Sequence, residues 1–341
     1  MNFRLEPFGA GNKADFLKYC ARHGREHDES FIPGAEFAGK REQPSFILRD
    51  ERGAIVAALS LMLSPSMIAS GRIRVAILHA SLNDIAGKRQ AYGALLSAAA
   101  RAVRAADPTP PKHSLSLFLF LPSGLPFLGE FLLESGFVME RIACAMRRDD
   151  MDCGEPGFPQ GFRVRALLRT DKHALFDFVT VRNRNFREVT GSADSRVEDW
   201  LERLGDDEAL EGGAMLLIDP AGEACGTAYS ERDEEEGSMY IGALSLDRGY
   251  RHRGLGRALM RSAIRFGADK GFRSARLSVN ASNNSALALY MAEGFVIEKA
   301  MDCLVADPEA LARIEVNRAW DRPPHGPPGS YFPRERSREG L

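Results

Sequence analysis

The chain has 341 residues, 44% of them hydrophobic and 27% charged, which is too much for one ordinary core and enough for two globular domains of roughly 150 residues each. Its 45 basic and 47 acidic side chains leave a formal charge of −2, so no global electrostatic case for nucleic acid remains. Five scattered cysteines without a Cys-x-x-Cys pair read as reduced thiols, not a disulfide framework or a zinc site, and the N-terminus lacks the apolar core of a signal peptide.

No apolar run approaches the roughly 20 residues of a membrane span, and the longest, residues 115–121, has strand length. The expectation is a cytoplasmic protein with no membrane and no nucleic acid among its partners. From the N-terminus, the first candidate site is His23 and His27 beside Asp28 and Glu29, which on a helix would form half a metal site. Gly24 disfavours that helix, so these residues read as surface polarity and no metal is expected. Next, SFILRDERGAIVAAL (45–59) has the chemistry of a strand, a tight turn with Asp50 and Gly53, and a second strand. ASLNDIAGKRQAYGALLSAAARAVRAAD (80–107) reads as a strand end, a basic glycine-bearing loop and an amphipathic helix. FLLESGFVMERIACAM (131–146) reads as a helix ended at Gly136, then a β-rich run.

MDCGEPGFPQG (151–161) has linker composition. Beyond it the pattern predicts strand 162–166, helix 171–182, a loop carrying Arg182, Asn183, Arg184, Asn185 and Phe186, and helix 196–204. Strands follow at 215–219, 225–230 and 238–246, then helix 255–270, strand 275–279, helix 285–293 and a β pair from Phe295. Residues 308–320 suit one more helix, and the remainder, rich in Pro, Gly and charge, reads as a flexible tail.

Three segments of the second half match the first in the same order. AMLLIDPAGEACGTAY (214–229) repeats the hairpin with Asp219 and Gly222, residues 244–271 repeat the strand, loop and helix, and LYMAEGFVIEKAMDCL (289–304) repeats the helix end at Gly294. Order makes three such pairs far more specific than one. The expectation is a tandem repeat: residues 1–151, a linker at 152–161, a second domain at 162–306 and an extension at 307–341. Each repeat would be α+β, with a mixed central sheet flanked by helices.

The run Arg251, His252, Arg253, Gly254, Leu255, Gly256, Arg257 lies between a strand and a helix. Its glycines admit a ligand to the backbone, and the following helix start offers unsatisfied amides to an anion such as pyrophosphate. Leu259 stands where a dinucleotide fingerprint needs a third glycine, and no Gly-Lys-Ser/Thr follows. The run instead resembles the acetyl-CoA loop of the GNAT superfamily of N-acetyltransferases, Gln/Arg-x-x-Gly-x-Gly/Ala, at Arg251, Gly254 and Gly256. The later pattern Asn-x-x-Ala-x-x-x-Tyr-x-x-x-Gly-Phe is met by Asn283, Ala286, Tyr290, Gly294 and Phe295. The tandem architecture is similar to that of the mycothiol synthases.

The resemblance implies acetyl-CoA as co-substrate and an amine on a small molecule or peptide as acceptor. Leu244, Ser245 and Leu246 would lie on a splayed strand pairing with pantetheine, and amides from Arg253 to Arg257 would hold the pyrophosphate. Asn283 would support the CoA arm, with capping of the next helix as its competing role. Tyr290 would be the general acid toward the departing thiolate, a role suited to a phenol that keeps its proton near neutral pH. For a base, Glu231, Asp233, Glu235 and Glu236 cluster ahead of strand 238–246, and the sequence does not choose among them.

In the first repeat's loop 88–93, Ala91 replaces the first glycine and Tyr92 adds bulk where backbone should approach phosphate, and Leu132 and Leu125 match Tyr290 and Asn283. Leucine cannot protonate a thiolate, so this repeat is expected to be non-catalytic. Competing readings are a non-catalytic acetyl-CoA sensor or scaffold, and a transferase of a longer acyl group. A monomer and a homodimer are both compatible with the pattern.

Overall fold

In the computed structural model of the chain, the described residues are 3–23, 33–35, 37, 43–63, 65–106, 115–233, 237–307, 309, 310, 313 and 314. The first repeat supplies β1 (Arg4–Pro7), α1 (Lys13–His23), β2 (Ser45–Arg49), β3 (Ile55–Met62), α2 (Pro65–Ser70), β4 (Arg72–Ala80), α3 (Ile85–Ala106), β5 (Ser116–Pro122), α4 (Pro126–Glu134) and β6 (Val138–Arg148). The second supplies β7 (Arg163–Ala166), α5 (Lys172–Phe186), α6 (Val197–Arg203), β8 (Ala209–Ile218), β9 (Ala224–Asp233), β10 (Ser238–Leu246), α7 (Leu255–Asp269), β11 (Ala275–Asn280), α8 (Asn284–Ala292) and β12 (Val296–Ala306). The architecture is α+β, two tandem repeats joined in one mixed sheet.

The duplication is visible in local chemistry. Asp50 accepts from the amides of Arg52 and Ala54, and Asp219 accepts from those of Ala221 and Glu223, each closing a hairpin whose glycine has positive φ (Gly53 81°, Gly222 91°). β4 carries an extra residue at Ala76 and β10 at Gly242, both against their antiparallel neighbours. Helices α4 and α8 both end in a left-handed glycine, Gly136 and Gly294.

Side chains alternate across the sheet. In the second repeat, Tyr229 of β9 packs with Phe178 of α5 and Trp200 of α6, while its neighbour Ala228 packs with Leu255 and Leu259 of α7. Trp200 meets Phe178 and Tyr229 edge-on at 4.8 and 4.9 Å, contacts that each add about 1 kcal/mol beyond buried area.

Four expectations need correcting. The β pair from Phe295 is one long strand, and it does not close its own repeat. The strand order is β1-β2-β3-β4-β5-β12-β6-β11-β10-β9-β8-β7. β12 pairs with β5 of the first repeat, β6 pairs with β11 of the second, and the two exchanged strands pair with each other. The exchange leaves neither β5 nor β11 as an open edge and makes the sheet continuous.

Residues 88–93 are not a loop. α3 starts five residues after Ala80, whereas α7 starts nine residues after Leu246, so the first repeat has lost the loop and 88–93 lies inside the helix. Ala91 and Tyr92 are buried in the core there. Residues 182–186 are likewise the last turns of α5, where Arg182 lies over the Phe186 ring at 4.8 Å and Val181 faces the core. His23 is half-buried and not a surface residue: it stacks on the buried His79 at 4.6 Å and packs, tilted, against Tyr19 at 4.7 Å.

Gly24, His27, Asp28, Glu29, Glu235 and Glu236, and most of the segment read as a last helix and tail, lie outside the described residues. Within the described part of that segment, Ala310 and Ile314 pack into the first repeat's core, and Ser97 Oγ donates to the Ile314 carbonyl at 3.1 Å. Among the described residues no helix is long and apolar enough to cross a membrane.

Candidate active site

β10 and β11 run parallel but pair only at Met239–Ile241 against Ala275–Leu277. Past the Gly242 bulge they part, and a cleft of about 950 Å³ opens between them. Leu244, Ser245 and Leu246 line it from β10, where among the described residues no strand pairs on that side. Asn280, Asn283 and Tyr290 line it from β11 and α8.

The loop after β10 is held from several directions. The Asp247 amide donates to the Cys225 carbonyl at 2.9 Å, Tyr250 donates from its hydroxyl to Asp219 at 2.5 Å, and Arg251 Nε donates to the Leu246 carbonyl at 3.0 Å. That tyrosine bond, first among the causes, holds the Asp219 carboxyl below its usual range. Arg184 and Asn185, at the end of α5, both donate to Asp247. Held this way, the chain enters α7 through His252 at φ 62°, the one non-glycine residue with positive φ among those described, and Gly254 at φ 78°. Gly254 is the N-cap of α7 and brings no side chain to it, so the first amides of the helix stay unsatisfied and can take an anion.

Arg251, His252, Gly254, Gly256 and Arg257 line the cleft together with the β10 and α8 residues. Two of the residues expected at the site turn their side chains elsewhere. Arg253 lies over the Tyr250 ring at 5.7 Å, and Leu255 is buried against α7's core neighbours, which leaves only their backbone amides for a ligand. Asn283 caps α8, its side chain accepting from the Ala286 amide at 3.2 Å, while remaining on the cleft wall.

Tyr290 is 8% exposed, and burial, with the nearby Tyr240 as the lesser cause, pushes its phenol up to about 12. Of the acidic residues ahead of β10, Glu231 is buried on β9 and accepts two bonds from Arg203, at 2.6 and 3.1 Å. A Cβ on Gly242 would stand 3.5 Å from Glu231 Oε1, so this carboxylate lies close behind a residue of the cleft wall.

Several cleft residues escaped the sequence reading. Phe120, Arg141 and Ala143 come from the first repeat and line the cleft: Arg141 and Ala143 lie on the exchanged strand β6 beside β11, and Phe120 on β5, which pairs with β12. Asn280 donates to the Thr190 carbonyl at 3.1 Å and fixes the segment after α5, whose residues 188–190 complete the wall. No motif marks them, since their place depends on strand order.

The first repeat closes the equivalent space. Asp84 precedes α3 and accepts from the Gly87 amide at 2.6 Å, so a carboxylate of the chain itself takes the helix start. Leu78, Tyr92, Leu119, Leu121 and Leu132 belong to one apolar cluster on either side of β4 and β5.

Residues 176–295 match the model of the acetyltransferase (GNAT) family. Among curated proteins, the chain is 29% identical over 222 residues to a mycothiol acetyltransferase of Salinispora arenicola, covering 61% of this chain and 66% of that one. It is 27% identical over 168 residues to the mycothiol acetyltransferase of Streptomyces avermitilis, covering 47% and 52%. The chain thus spans about half to two thirds of the length of the curated relatives it matches. Among solved structures, a GCN5-related N-acetyltransferase from Sphaerobacter thermophilus superposes with a TM-score of 0.68 at 15% identity, over 90% of this chain and 96% of that one. A tandem GNAT protein from the clavulanic acid biosynthesis pathway superposes with a TM-score of 0.59 at 17% identity, over 90% and 99%. These superpositions establish the fold.

Proposed function

We infer, for a chain that carries a GNAT acetyltransferase domain in its C-terminal half, that this half transfers an acetyl group from acetyl-CoA to an amine while the first repeat does no chemistry. The observation that carries this reading is one cleft shared by an uncapped helix start, an unpaired stretch of β10 and a buried tyrosine. The residues suit acetyl-CoA. Amides around Gly254 to Arg257, with Arg251 and Arg257 beside them, supply donors and positive charge for pyrophosphate. The free edge of β10 at Leu244 to Leu246 suits the amides of pantetheine, and a backbone N–H there steadies developing negative charge on the thioester oxygen. Tyr290, protonated across the neutral range, gives its proton to the departing sulfur.

For the base, Glu231 is the best placed of the acidic residues ahead of β10. It receives the amine's proton through water past Gly242, which lies beside it on the cleft wall. Glu231→Gln is expected to lower kcat/KM by about 100-fold while leaving acetyl-CoA affinity within about twofold. Loss of donor affinity in that variant would remove the assignment.

The test of the activity is thiol release from acetyl-CoA and longer acyl-CoA donors against an amine panel. Polyamines, amino acids, peptide N-termini and the acceptor of the mycothiol acetyltransferases belong in it. Preference for a longer chain would refute the acetyl assignment, and donor binding without release on any amine would favour the sensor reading.

A further inference from the structure

Glu293 lies just past α8, three residues beyond Tyr290, with its side chain 3% exposed. Its carboxylate pairs with two arginines of α7: it forms an ion pair with Arg257, 2.9 Å from Nε, and accepts from Arg261 Nε and a terminal nitrogen at 2.8 and 3.2 Å. Its carbonyl accepts from Arg148, a buried residue of the exchanged strand β6, which also donates to the carbonyls of Asp150 and Asp152. Three parts of the molecule therefore meet at one residue: the helix of the proton donor, the helix that starts at the anion site, and the first repeat.

The two arginines differ in what they have left to offer. Arg261 spends a terminal nitrogen on the Glu155 carbonyl at 3.2 Å. Arg257 meets Glu293 as an ion pair on its Nε side. It lines the cleft, is half exposed, and has no other partner among the described residues. A buried carboxylate 2.9 Å from Nε holds the Arg257 guanidinium beside the cleft and leaves its terminal N–H groups unspent. Two arginines against one carboxylate also leave the cluster with a net positive charge toward the cleft.

We propose that Glu293 is a positioning residue that aims Arg257 at the phosphates of the donor, with Arg148 of the first repeat holding the Glu293 backbone in place. The proposal rests on the acetyl-CoA reading of the cleft. Under it the first repeat contributes to donor recognition through Arg148, a residue outside the cleft lining.

The test compares two acetyl donors on the full-length chain: acetyl-CoA, and S-acetylpantetheine, which keeps the thioester arm and lacks the adenosine phosphates. Glu293→Gln is expected to lower kcat/KM for acetyl-CoA by about tenfold, the scale of one charge-assisted hydrogen bond, and to change it for S-acetylpantetheine by less than about twofold. Arg257→Gln is expected to show the same loss with acetyl-CoA, and Glu293→Gln added to it to cause no further loss. An equal fall with both donors would make Glu293 a structural support of α8 and overturn the proposal, as would an unchanged rate with acetyl-CoA. Should Glu293→Gln not fold, Glu293→Asp, which keeps the charge but draws it back, is read by the same donor ratio. Wild-type protein inactive with both donors would overturn the reading of the cleft and this proposal with it, an outcome distinct from every variant result.

Discussion

At the start of α7 the N-cap is Gly254, left-handed and without a side chain; at the start of α3 the corresponding position holds Asp84, bonded to the Gly87 amide. The same helix start is open in one repeat and occupied by the protein's own carboxylate in the other. Asp84→Ala is therefore expected to cost about 1 kcal/mol of stability, measured by denaturant titration, and to leave acetyl-CoA affinity unchanged. Tyr290 makes a prediction of the opposite kind. With its phenol pushed up to about 12 by burial, it holds its proton at lower pH and loses it only as pH rises through that value. A pH profile of kcat should therefore show no alkaline limb from Tyr290 below about pH 11, and Tyr290→Phe should lower kcat by about 100-fold with little change in donor KM. An alkaline limb that disappears in Tyr290→Phe would contradict this placement of the phenol.

Elements were legible in the sequence where local chemistry dictates them. Strand 238–246 has the bounds expected of it, helices α7 and α8 agree to within a residue or so, and Asn283 and Leu125 hold the same N-cap place in α8 and α4. The matched hairpins and helix ends are real because Asp, Gly and their spacing act over a few residues. What stayed hidden was non-local. Nothing in residues 138–148 says that this strand leaves its own repeat, because its alternating side chains suit either sheet. Arg141 and Phe120 therefore entered no list of site residues, although both line the cleft. The shortened connection before α3 was hidden for a related reason. Glycines within 80–93 aligned well with a loop, and only the pairing of Ala80 and Leu246 with their neighbouring strands reveals that the helix has moved forward. At this scale the exchange predicts that residues 162–314 expressed alone, lacking β6 and baring β11, form no soluble active protein. Supplying residues 1–161 in trans should restore both solubility and turnover.

Across the whole molecule, one sheet joins an open cleft in the second repeat to a filled core in the first. Because β6 and β12 each belong to the other half's sheet, the halves should unfold together in one cooperative transition, seen as coincident fluorescence and circular-dichroism midpoints. Two separated midpoints would mean that the exchanged strands contribute little to either half. The arrangement also gives the first repeat a structural part in the second: its last strand flanks β11, Arg148 braces the end of α8, and Phe120 and Arg141 finish the cleft wall. The central claim is that a single donor site remains and lies at the start of α7. Calorimetric titration of acetyl-CoA into the wild-type chain, and into a Gly254→Val variant that forces a β-branched residue into a left-handed conformation, tests it most directly. The account predicts one site per chain in the wild type and none in the variant; two sites per chain, no saturable binding, or full binding by Gly254→Val would contradict it.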